Sequence, residues 1–325
     1  MERTTTLLID LNENAERALR MVREAHEVTY DTEGTGLNWR VNSPVGYVVG
    51  AASGNRVVRP EDVVYVPVRH GGGGNLPGAR PMTSPTEGFM LHPFETALAK
   101  AFKERTGKGR VVGHHMKFDC HSSANAGVML GRGLACTQNM AAMADEYARK
   151  YSLEAVADRY GVTAKKAQAM YDHLGQLFSI PPTRNAMSHF WQTSGTDPIA
   201  YDYATGDGVS TLEVYWKLHD KLTEDEMQFV MDMENDLVWT VFRIERRGIK
   251  VDLDEAAALR RATEDRISEL MGDLPVGFNS LSPIQMKELM TQHGHTDWPF
   301  TEKGAPLFTN NGPHPHGPRR TTTEL

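Results

Sequence analysis

The sequence predicts an α/β fold with a mixed central sheet flanked by helices, followed by a helical C-terminal extension. Short apolar runs rich in β-branched residues alternate with segments of helical periodicity as far as about residue 134. Beyond that point almost all of the predicted regular structure is helical. The length of 325 residues corresponds to about two domains and is ample for a buried core.

The N-terminal half is expected to supply the sheet, in the order β-β-β-α-β after a first charged helix. The predicted elements are a helix over 10–27, strands over 28–31, 44–51 and 63–68, a helix over 91–105 and a strand over 110–113. The turn-like Ser53–Asn55 favours an antiparallel arrangement of the first three strands. The glycine-rich stretch Arg69–Gly78 is expected to be a flexible loop.

The rest of the chain is expected to be mainly helical, with Ser152 as an N-cap and Gly248 as a helix end. The predicted helices cover 152–160, 199–222, 224–247 and 253–271. From about Gly294 the sequence is rich in Gly, Pro, His and Thr, which predicts a loose tail. The four histidines in and beside this tail are compatible with metal binding, but we favour a disordered segment; they are His293, His295, His314 and His316.

Composition restricts the classes of function. The net charge of −7 argues against holding nucleic acid by bulk positive charge, but leaves open a local basic groove or a carboxylate-lined metal site. The basic pairs Lys165–Lys166 and Arg246–Arg247 either contact phosphates or lie on solvated helix faces. Two cysteines cannot make a disulfide framework, which favours the cytoplasm. The apolar run Leu7–Ile9 is too short for a signal peptide, and no run predicts a membrane span.

Three positions carry the candidate chemistry, and the first is the end of the strand that begins at Val28. Asp31 and Glu33 are two residues apart, so in a strand their side chains point to the same side. Two carboxylates held this close repel unless a proton or a divalent cation lies between them. Mg²⁺ and Mn²⁺ prefer such oxygen ligands. Alternatively, the pair is simply a polar strand end beside a glycine-rich turn.

The second position is Asp119, which follows the buried strand over 110–113 at the sheet edge where α/β folds place ligands. The alternative is that Asp119 caps the next helix. His114 and His115 precede it, but no third ligand stands at a spacing typical of zinc sites.

The third position is the pair Tyr203 and Asp207, which lie four residues apart and share a face of the predicted helix. A phenol beside a carboxylate is suited to orienting a water next to a metal-bound phosphate. Alternatively, the tyrosine packs in the core and the aspartate is solvated.

Together, the order D-x-E, D, Y-x-x-x-D is what a two-metal phosphodiesterase requires. With these motifs the sequence resembles the DEDD family of 3′–5′ exonucleases, in its tyrosine-bearing branch. It is most similar to the proofreading domain of family A, polymerase-I-like DNA polymerases of phage type, from about Val28 to Thr309. The resemblance implies a ribonuclease-H-like fold over residues 1–222 and a polymerase-thumb-like extension over 223–325.

The resemblance also implies roles for individual residues. Asp31, Glu33, Asp119 and Asp207 match the four metal-binding acids, which would hold two Mg²⁺ or Mn²⁺ ions. Asp31 would bridge both ions, Glu33 and Asp207 would complete the tighter site, and Asp119 would hold the second ion largely through water. Tyr203 matches the tyrosine that orients the attacking water.

Three further residues are substrate-binding candidates by resemblance. Leu37 matches a leucine that wedges near the terminal bases, although an ordinary core position is an equal alternative. Lys117 keeps the family pattern, whereas His115 stands where relatives usually have Asn and could alter contacts to DNA. A second departure is Cys136–Thr137, where relatives often have Asp-Thr at the start of a helical region.

The C-terminal segments Met233–Asp252, Phe278–Gln285 and Thr301–Pro306 resemble the landmarks that join the exonuclease to the polymerase. The acidic palm motifs and the nucleotide-binding helix of a polymerase do not follow. We therefore expect no polymerase activity from this chain alone, which is either a fragment or a subunit that docks a separately encoded polymerase half.

The leading functional hypothesis is a metal-dependent 3′–5′ exonuclease that acts on single-stranded DNA ends during proofreading, in the cytoplasm of a bacterial or phage-infected cell. One alternative is an RNA 3′-end exonuclease of the same superfamily. Another is a structural subunit whose nuclease is weak or dispensable and which serves to bind the polymerase half.

Overall fold

The computed structural model describes most of the chain, and its residues fall into two compact units, Met1–Gly248 and Ile249–Leu325. The described residues are 10–52, 56–86, 88, 90–106, 109–163 and 167–295. The predictions made for Leu7–Ile9, Ser53–Asn55, Lys165–Lys166, Thr301–Pro306 and the tail beyond His295 lie outside them. The assignment of separate functions to residues 1–222 and 223–325 stays a prediction.

The described elements follow the predicted α/β order. The strands are β1 (Val28–Gly34), β2 (Pro44–Gly50), β3 (Val63–Pro67), β4 (Val111–Gly113) and β5 (Leu134–Cys136). The helices are α1 (Leu11–Glu24), α2 (Pro93–Lys103), α3 (Met116–Asn125), α4 (Thr137–Ala144), α5 (Leu153–Tyr160), α6 (Ala167–Phe178), α7 (Pro198–Glu224), α8 (Gln228–Arg247), α9 (Leu253–Gly272) and α10 (Pro283–Gln292). Two 3₁₀ segments cover Pro60–Asp62 and Arg184–Gln192.

The sheet is mixed, with β1 at its centre and the strand order β3-β2-β1-β4-β5. β1 pairs antiparallel with β2, and β2 pairs antiparallel with β3, as predicted. On the other side, β1 pairs parallel with β4, and β4 with β5. β5 was not predicted; β4 is equally short, but it contains two adjacent β-branched valines, whereas the Leu-Ala-Cys sequence of β5 contains no β-branched residue. The carboxyl end of β1 lies where the antiparallel and parallel halves of the sheet meet, and loops and helices can converge there to form a site.

Helices cover both faces of the sheet, and each face has its own core. On one face, side chains of α1, α2, α3 and α8 pack around the sheet residue Tyr30. On the other face, α4, α5 and α7 pack around Val48 and Val112. β2 is buried along its whole length, which explains its nearly continuous apolar sequence.

The predicted helices are confirmed within a few residues at their ends, and capping residues explain several boundaries. Asp10 accepts hydrogen bonds from the first turn of α1, and Asp197 does the same for α7. Gly248 ends α8 with a φ of 71°, a backbone conformation that favours glycine. Ser152 stands at the N-cap position of α5, but its side chain makes no capping hydrogen bond there. α3, α4, α6 and α10 were not predicted as helices.

The glycine-rich stretch Arg69–Gly78 is a loop, as predicted, but the expectation that it is flexible is wrong. The backbone N–H groups of Gly71 and Gly72 donate to Trp191 and Thr193, and the N–H of Gly195 donates to Gly73. A Cβ on Gly72 would lie 2.7 Å from the Gln192 carbonyl oxygen, so the glycine allows close approach of two backbones. The glycines therefore serve tight packing rather than freedom of motion.

Buried polar side chains fix the start of the same loop. The Arg69 guanidinium pairs with Glu95 and donates to the Pro44 carbonyl oxygen at 2.7 Å. The His70 imidazole lies 2.7 Å from the Tyr65 hydroxyl and 3.1 Å from the Thr193 carbonyl oxygen. Because a carbonyl oxygen can only accept, Nδ1 carries the proton and Nε2 accepts from Tyr65. Burial lowers the pKa of His70 to about 4.

The second unit is described as two helices, α9 and α10, neither of which contains a buried residue. Asp252 caps α9 and Ser282 caps α10 through side-chain hydrogen bonds to the first turn. Of the helices described, none is both long and apolar enough to cross a lipid bilayer.

The buried neutral His70 predicts a specific acid destabilisation. Its pKa is about 4 in the folded state and about 6.5 when unfolded, so its contribution is complete above pH 6.5 and is lost as the pH falls towards 4. The loss amounts to about 3 kcal/mol. Urea unfolding of His70→Gln should therefore give a lower free energy of unfolding at pH 7.5 but a flatter decline between pH 6.5 and 4.5. The exposed His26→Gln is the control, and equal slopes in all three proteins would contradict the assignment.

Candidate active site

Three of the predicted acids meet at the end of β1. Asp31, Glu33 and Asp207 each place a carboxylate oxygen within 4.8 Å of the others. Asp31 is half-buried, whereas Glu33 and Asp207 are buried. The strand pleat explains why Asp31 and Glu33 point the same way, and the register of β1 against β2 shifts just after Glu33. Asp207 arrives from α7, which crosses this end of the sheet.

A glycine lets α7 approach the sheet closely enough for Asp207 to reach the strand acids. A Cβ on Gly208 would lie 2.7 Å from a Val63 methyl carbon and 3.0 Å from one of Val48. Any side chain at this position would push the helix away from the sheet. Gly208 therefore sets the distance between α7 and the sheet, and the approach of Asp207 to the strand acids depends on this distance.

Tyr203 lies one helical turn before Asp207 on α7, as predicted, and is buried with only 8% of its surface exposed. Its ring packs 6.0 Å from that of Phe190, centroid to centroid. The tyrosine therefore packs, as the alternative expected, but Asp207 is buried, so the expectation of a solvated aspartate is wrong. The role of Tyr203 in orienting water stays a prediction.

Asp119 lies beside the three-acid group and is tied to β1 through Thr32. One of its carboxylate oxygens accepts from the Thr32 N–H at 3.0 Å and from the Thr32 hydroxyl at 2.8 Å. Burial raises the pKa of Asp119 well above its usual value, and the charge of Asp31 raises it further. Asp119 does not cap α3, since that helix begins at Met116 with His115 at the N-cap.

The set of ligands fits hard divalent cations. All the donors are carboxylate oxygens, and both burial and the charge of Asp31 raise the pKa of Asp119, so the acids by themselves oppose a further negative charge there. A bound cation would reverse this effect because it stabilises the ionised carboxylates. Thr32 is the residue of this site that the sequence analysis missed. The signal in the sequence was a hydroxyl residue at the middle position of D-x-E, whose side chain points to the face of the strand opposite Asp31 and Glu33.

Leu37 lies on the loop between β1 and β2 and is 83% exposed, so the alternative that it is a core residue is wrong. The loop is held in place because the Asn42 side chain accepts from the Gly36 N–H and donates to the Ser122 hydroxyl of α3. An exposed apolar side chain on the loop that follows the acids of β1 is compatible with the predicted wedge.

His115 and Lys117 differ in how accessible their polar groups are. His115 is exposed with its backbone in the left-handed region at φ 63°. Partial desolvation of the ring by its surroundings and the Lys117 charge lower the pKa of His115, so the ring is neutral at neutral pH. The Lys117 ammonium lies 2.7 Å from Glu245 of α8, which also lies 2.8 Å from His121. The charge predicted to contact substrate is therefore engaged by an acid of the same chain.

The zinc alternative receives no support from His114. Its Nδ1 lies 2.9 Å from the Thr137 hydroxyl and its Nε2 lies 2.9 Å from the Tyr151 carbonyl oxygen. These contacts occupy both ring nitrogens with structural hydrogen bonds that fix the start of α4 against the 145–152 segment.

Comparison with known sequences identifies the class of protein. Residues 7–223 match a family described as 3′–5′ exonuclease, and the chain belongs to this family of hydrolytic exonucleases. The predicted membership and enzyme class are thereby confirmed.

The curated relatives are phage DNA polymerases. DNA polymerase DpoZ of Salmonella phage PMBT28 is 26% identical over 89% of this chain, and DpoZ of Vibrio phage phiVC8 is 25% identical over 80%. These matches cover 42% and 39% of the two relatives, so the chain spans about two fifths of their length.

The predicted mixed sheet flanked by helices is confirmed by the strand order described above, and the similar solved structures include a nuclease and a polymerase domain. Brucella melitensis NrnC is 14% identical, with a TM-score of 0.46, over 70% of this chain and 89% of that protein. The POL domain of Pol1 from M. smegmatis, in complex with DNA primer-template and dNTP, has a TM-score of 0.54. It is 19% identical over 92% of this chain and 42% of that one.

The Thr32 hydroxyl predicts a change in metal requirement. Thr32→Val keeps the shape of the side chain but removes one of the two hydrogen bonds to Asp119. Since partners of metal ligands commonly change metal affinity by about 10–100-fold, the Mg²⁺ concentration for half-maximal nuclease activity should rise about tenfold. Thr32→Ser keeps a hydroxyl and should behave like the wild type. An unchanged Mg²⁺ titration in Thr32→Val would show that Thr32 does not position Asp119.

Proposed function

We propose that this chain is a two-metal-ion 3′–5′ exodeoxyribonuclease that removes nucleotides from DNA 3′ ends as the proofreading part of a phage-type polymerase. The observation that carries the proposal is the convergence of Asp31, Glu33 and Asp207, with Asp119 tied alongside by Thr32. Buried carboxylates this close are costly to hold together unless cations bind among them.

The roles proposed for the acids are those that the family resemblance implies. Asp31, the least buried of the three-acid group, would face both ions. Glu33 and Asp207, held by β1 and α7, would complete the tighter site, and Asp119 would hold the second ion largely through water. When bound, two Mg²⁺ or Mn²⁺ ions supply positive charge at the attacking water and at the leaving 3′ oxygen.

Tyr203 would orient the attacking water. Its position one turn before Asp207 aims the hydroxyl at the same side of α7, and the packing against Phe190 limits its motion. Leu37 would stand against the terminal bases as an apolar wedge, because stacking and apolar contact tolerate any base. His115, neutral at pH 7, would contact the strand as a hydrogen-bonding group rather than as a cation.

DNA is the favoured substrate because the curated relatives are named DNA polymerases. The same relatives are more than twice as long as the matched region, which supports a polymerase part that acts together with this domain, in the same protein or separately encoded. The helical region from residue 223 would join the two. The site of action would be the cytoplasm of a bacterial or phage-infected cell.

Neutralising Asp31 should abolish the nuclease. With a labelled single-stranded DNA oligonucleotide and Mg²⁺ or Mn²⁺, Asp31→Asn should lose activity by at least about 100-fold, since even partners of metal ligands cost about 10–100-fold. Asp202→Asn is the matched control because Asp202 is an exposed acid of α7. The proposal fails if Asp31→Asn degrades DNA at the wild-type rate. A preference for RNA over DNA of the same sequence would favour the RNA-exonuclease alternative.

Repulsion among the acids predicts opposite stability changes with and without metal. In EDTA, Asp207→Asn should raise the free energy of unfolding by about 1 kcal/mol, because one of three closely spaced charges is removed. Mg²⁺ at about 100 times its dissociation constant should stabilise the wild type by about 2.7 kcal/mol and the variant much less. Thermal unfolding with and without Mg²⁺ measures both effects. An equal Mg²⁺ shift in Asp207→Asn and the wild type would rule out metal binding at this position.

A further inference from the structure

Two arginines surround a tryptophan on the loop that follows the acids of β1. The Arg40 guanidinium carbon lies 4.3 Å from the centre of the Trp39 ring, and that of Arg246 lies 5.8 Å from it. His121 stacks on the same tryptophan at 3.7 Å between ring centroids. We call Trp39, Arg40 and Arg246 the guanidinium patch.

The guanidinium patch is built into the fold rather than loosely attached to it. Asn125 of α3 donates from its amide to the carbonyl oxygens of Trp39 and Asn42, at 2.7 and 2.8 Å. The amide oxygen of Asn125 accepts from Arg246 at 2.6 Å. One side chain of α3 therefore holds both the loop that carries Arg40 and the end of α8 that carries Arg246.

The positive charge of the patch is available for a ligand. Both arginines are exposed, and within the described parts of the chain neither guanidinium forms an ion pair with a carboxylate. Lys117 differs, since Glu245 lies 2.7 Å from its ammonium. The loop after β1 and the end of α8 therefore bring two guanidinium groups to the same tryptophan ring. Guanidinium groups match phosphate oxygens in geometry and charge.

Contacts of α3 determine where the guanidinium patch lies relative to the acids. Asp119 bonds to β1, Ser122 bonds to Asn42, and Asn125 bonds to Trp39 and Arg246. These residues are spaced three apart in the sequence, so they lie close to one face of α3. Their contacts run along this face away from the acids. From Asp119 to Asn125 the helix rises about 9 Å. That distance corresponds to about three nucleotides at the duplex rise of about 3.4 Å per nucleotide, and fewer in an extended strand.

We propose that the guanidinium patch binds a backbone phosphate of the single-stranded DNA substrate, upstream of the scissile bond, with Arg40 and Arg246 as the ligands. Trp39 supports the two guanidinium groups from the ring face. This inference rests on the proposed nuclease function and specifies how the strand is held. It selects phosphate contact for Arg246, which the sequence left open between phosphate contact and a solvated helix face, and adds Arg40 as its partner.

The test measures binding of a short thymidine oligonucleotide in EDTA, where no cleavage occurs. In the wild type, a neutral methylphosphonate placed at each linkage in turn should weaken binding about tenfold at one upstream linkage. The double variant Arg40→Gln/Arg246→Gln should bind the unmodified strand about tenfold more weakly than the wild type does. A methylphosphonate at that linkage should not weaken the binding of this variant any further. The slope of log K against the logarithm of the salt concentration should also become shallower by about 0.7, because one phosphate contact is lost.

The matched control is Arg243→Gln/Arg247→Gln, which removes the same charge from exposed positions of α8. This control should keep the position-specific loss. The proposal is overturned if the Arg40/Arg246 variant binds like the control, or if it remains as sensitive as the wild type at every linkage. Circular dichroism checks folding, and the exposed Arg40→Gln alone gives the same comparison if the double variant unfolds.

Cleavage of the same oligonucleotide by the wild type with Mg²⁺ separates the two claims. Position-specific binding without cleavage keeps the patch and rejects the nuclease. Cleavage without position-specific binding keeps the nuclease and rejects the patch.

Discussion

The pair of hydrogen bonds from Thr32 to Asp119 is the interaction on which the arrangement of the site depends. It joins the central strand to α3 at the point where both carry acids, and it holds a buried carboxylate that burial and Asp31 both destabilise in its charged form. A fold that concentrates carboxylates must oppose their repulsion with fixed geometry. Here the strand pleat, this hydrogen-bond pair and the close approach of α7 at Gly208 provide that geometry.

The same helix that fixes Asp119 also organises the surface around the site. α3 holds the β1–β2 loop through Ser122 and Asn125, and its Lys117 and His121 engage Glu245 of α8. The acids, the exposed Leu37 and the guanidinium patch therefore belong to one connected framework. The overall negative charge is no obstacle to the proposed nucleic-acid substrate, because the attraction would be local, from cations bound at the acids and from the two arginines.

Much of this could be predicted from the sequence, because the relevant signals are periodic or are carried by short motifs. The acids of β1 and the helical pairing of Tyr203 with Asp207 follow from strand and helix periods, and the resemblance joined them with Asp119 into one site. β5 could not be predicted because its Leu-Ala-Cys sequence has no β-branched residue, unlike the equally short β4. The engagement of Lys117 by Glu245 and the exposure of Leu37 depend on contacts between distant parts of the chain. The tight packing of the Arg69–Gly78 loop was missed because its glycines indicate flexibility unless their neighbours are known.

The central claim is that the acids hold two metal ions between them. Crystals of this chain soaked in Mn²⁺ test it most directly through the anomalous scattering of manganese. The account predicts two peaks about 4 Å apart, with Asp31 between them and Glu33, Asp119 and Asp207 around them. A single peak, or none at these four residues, would contradict it.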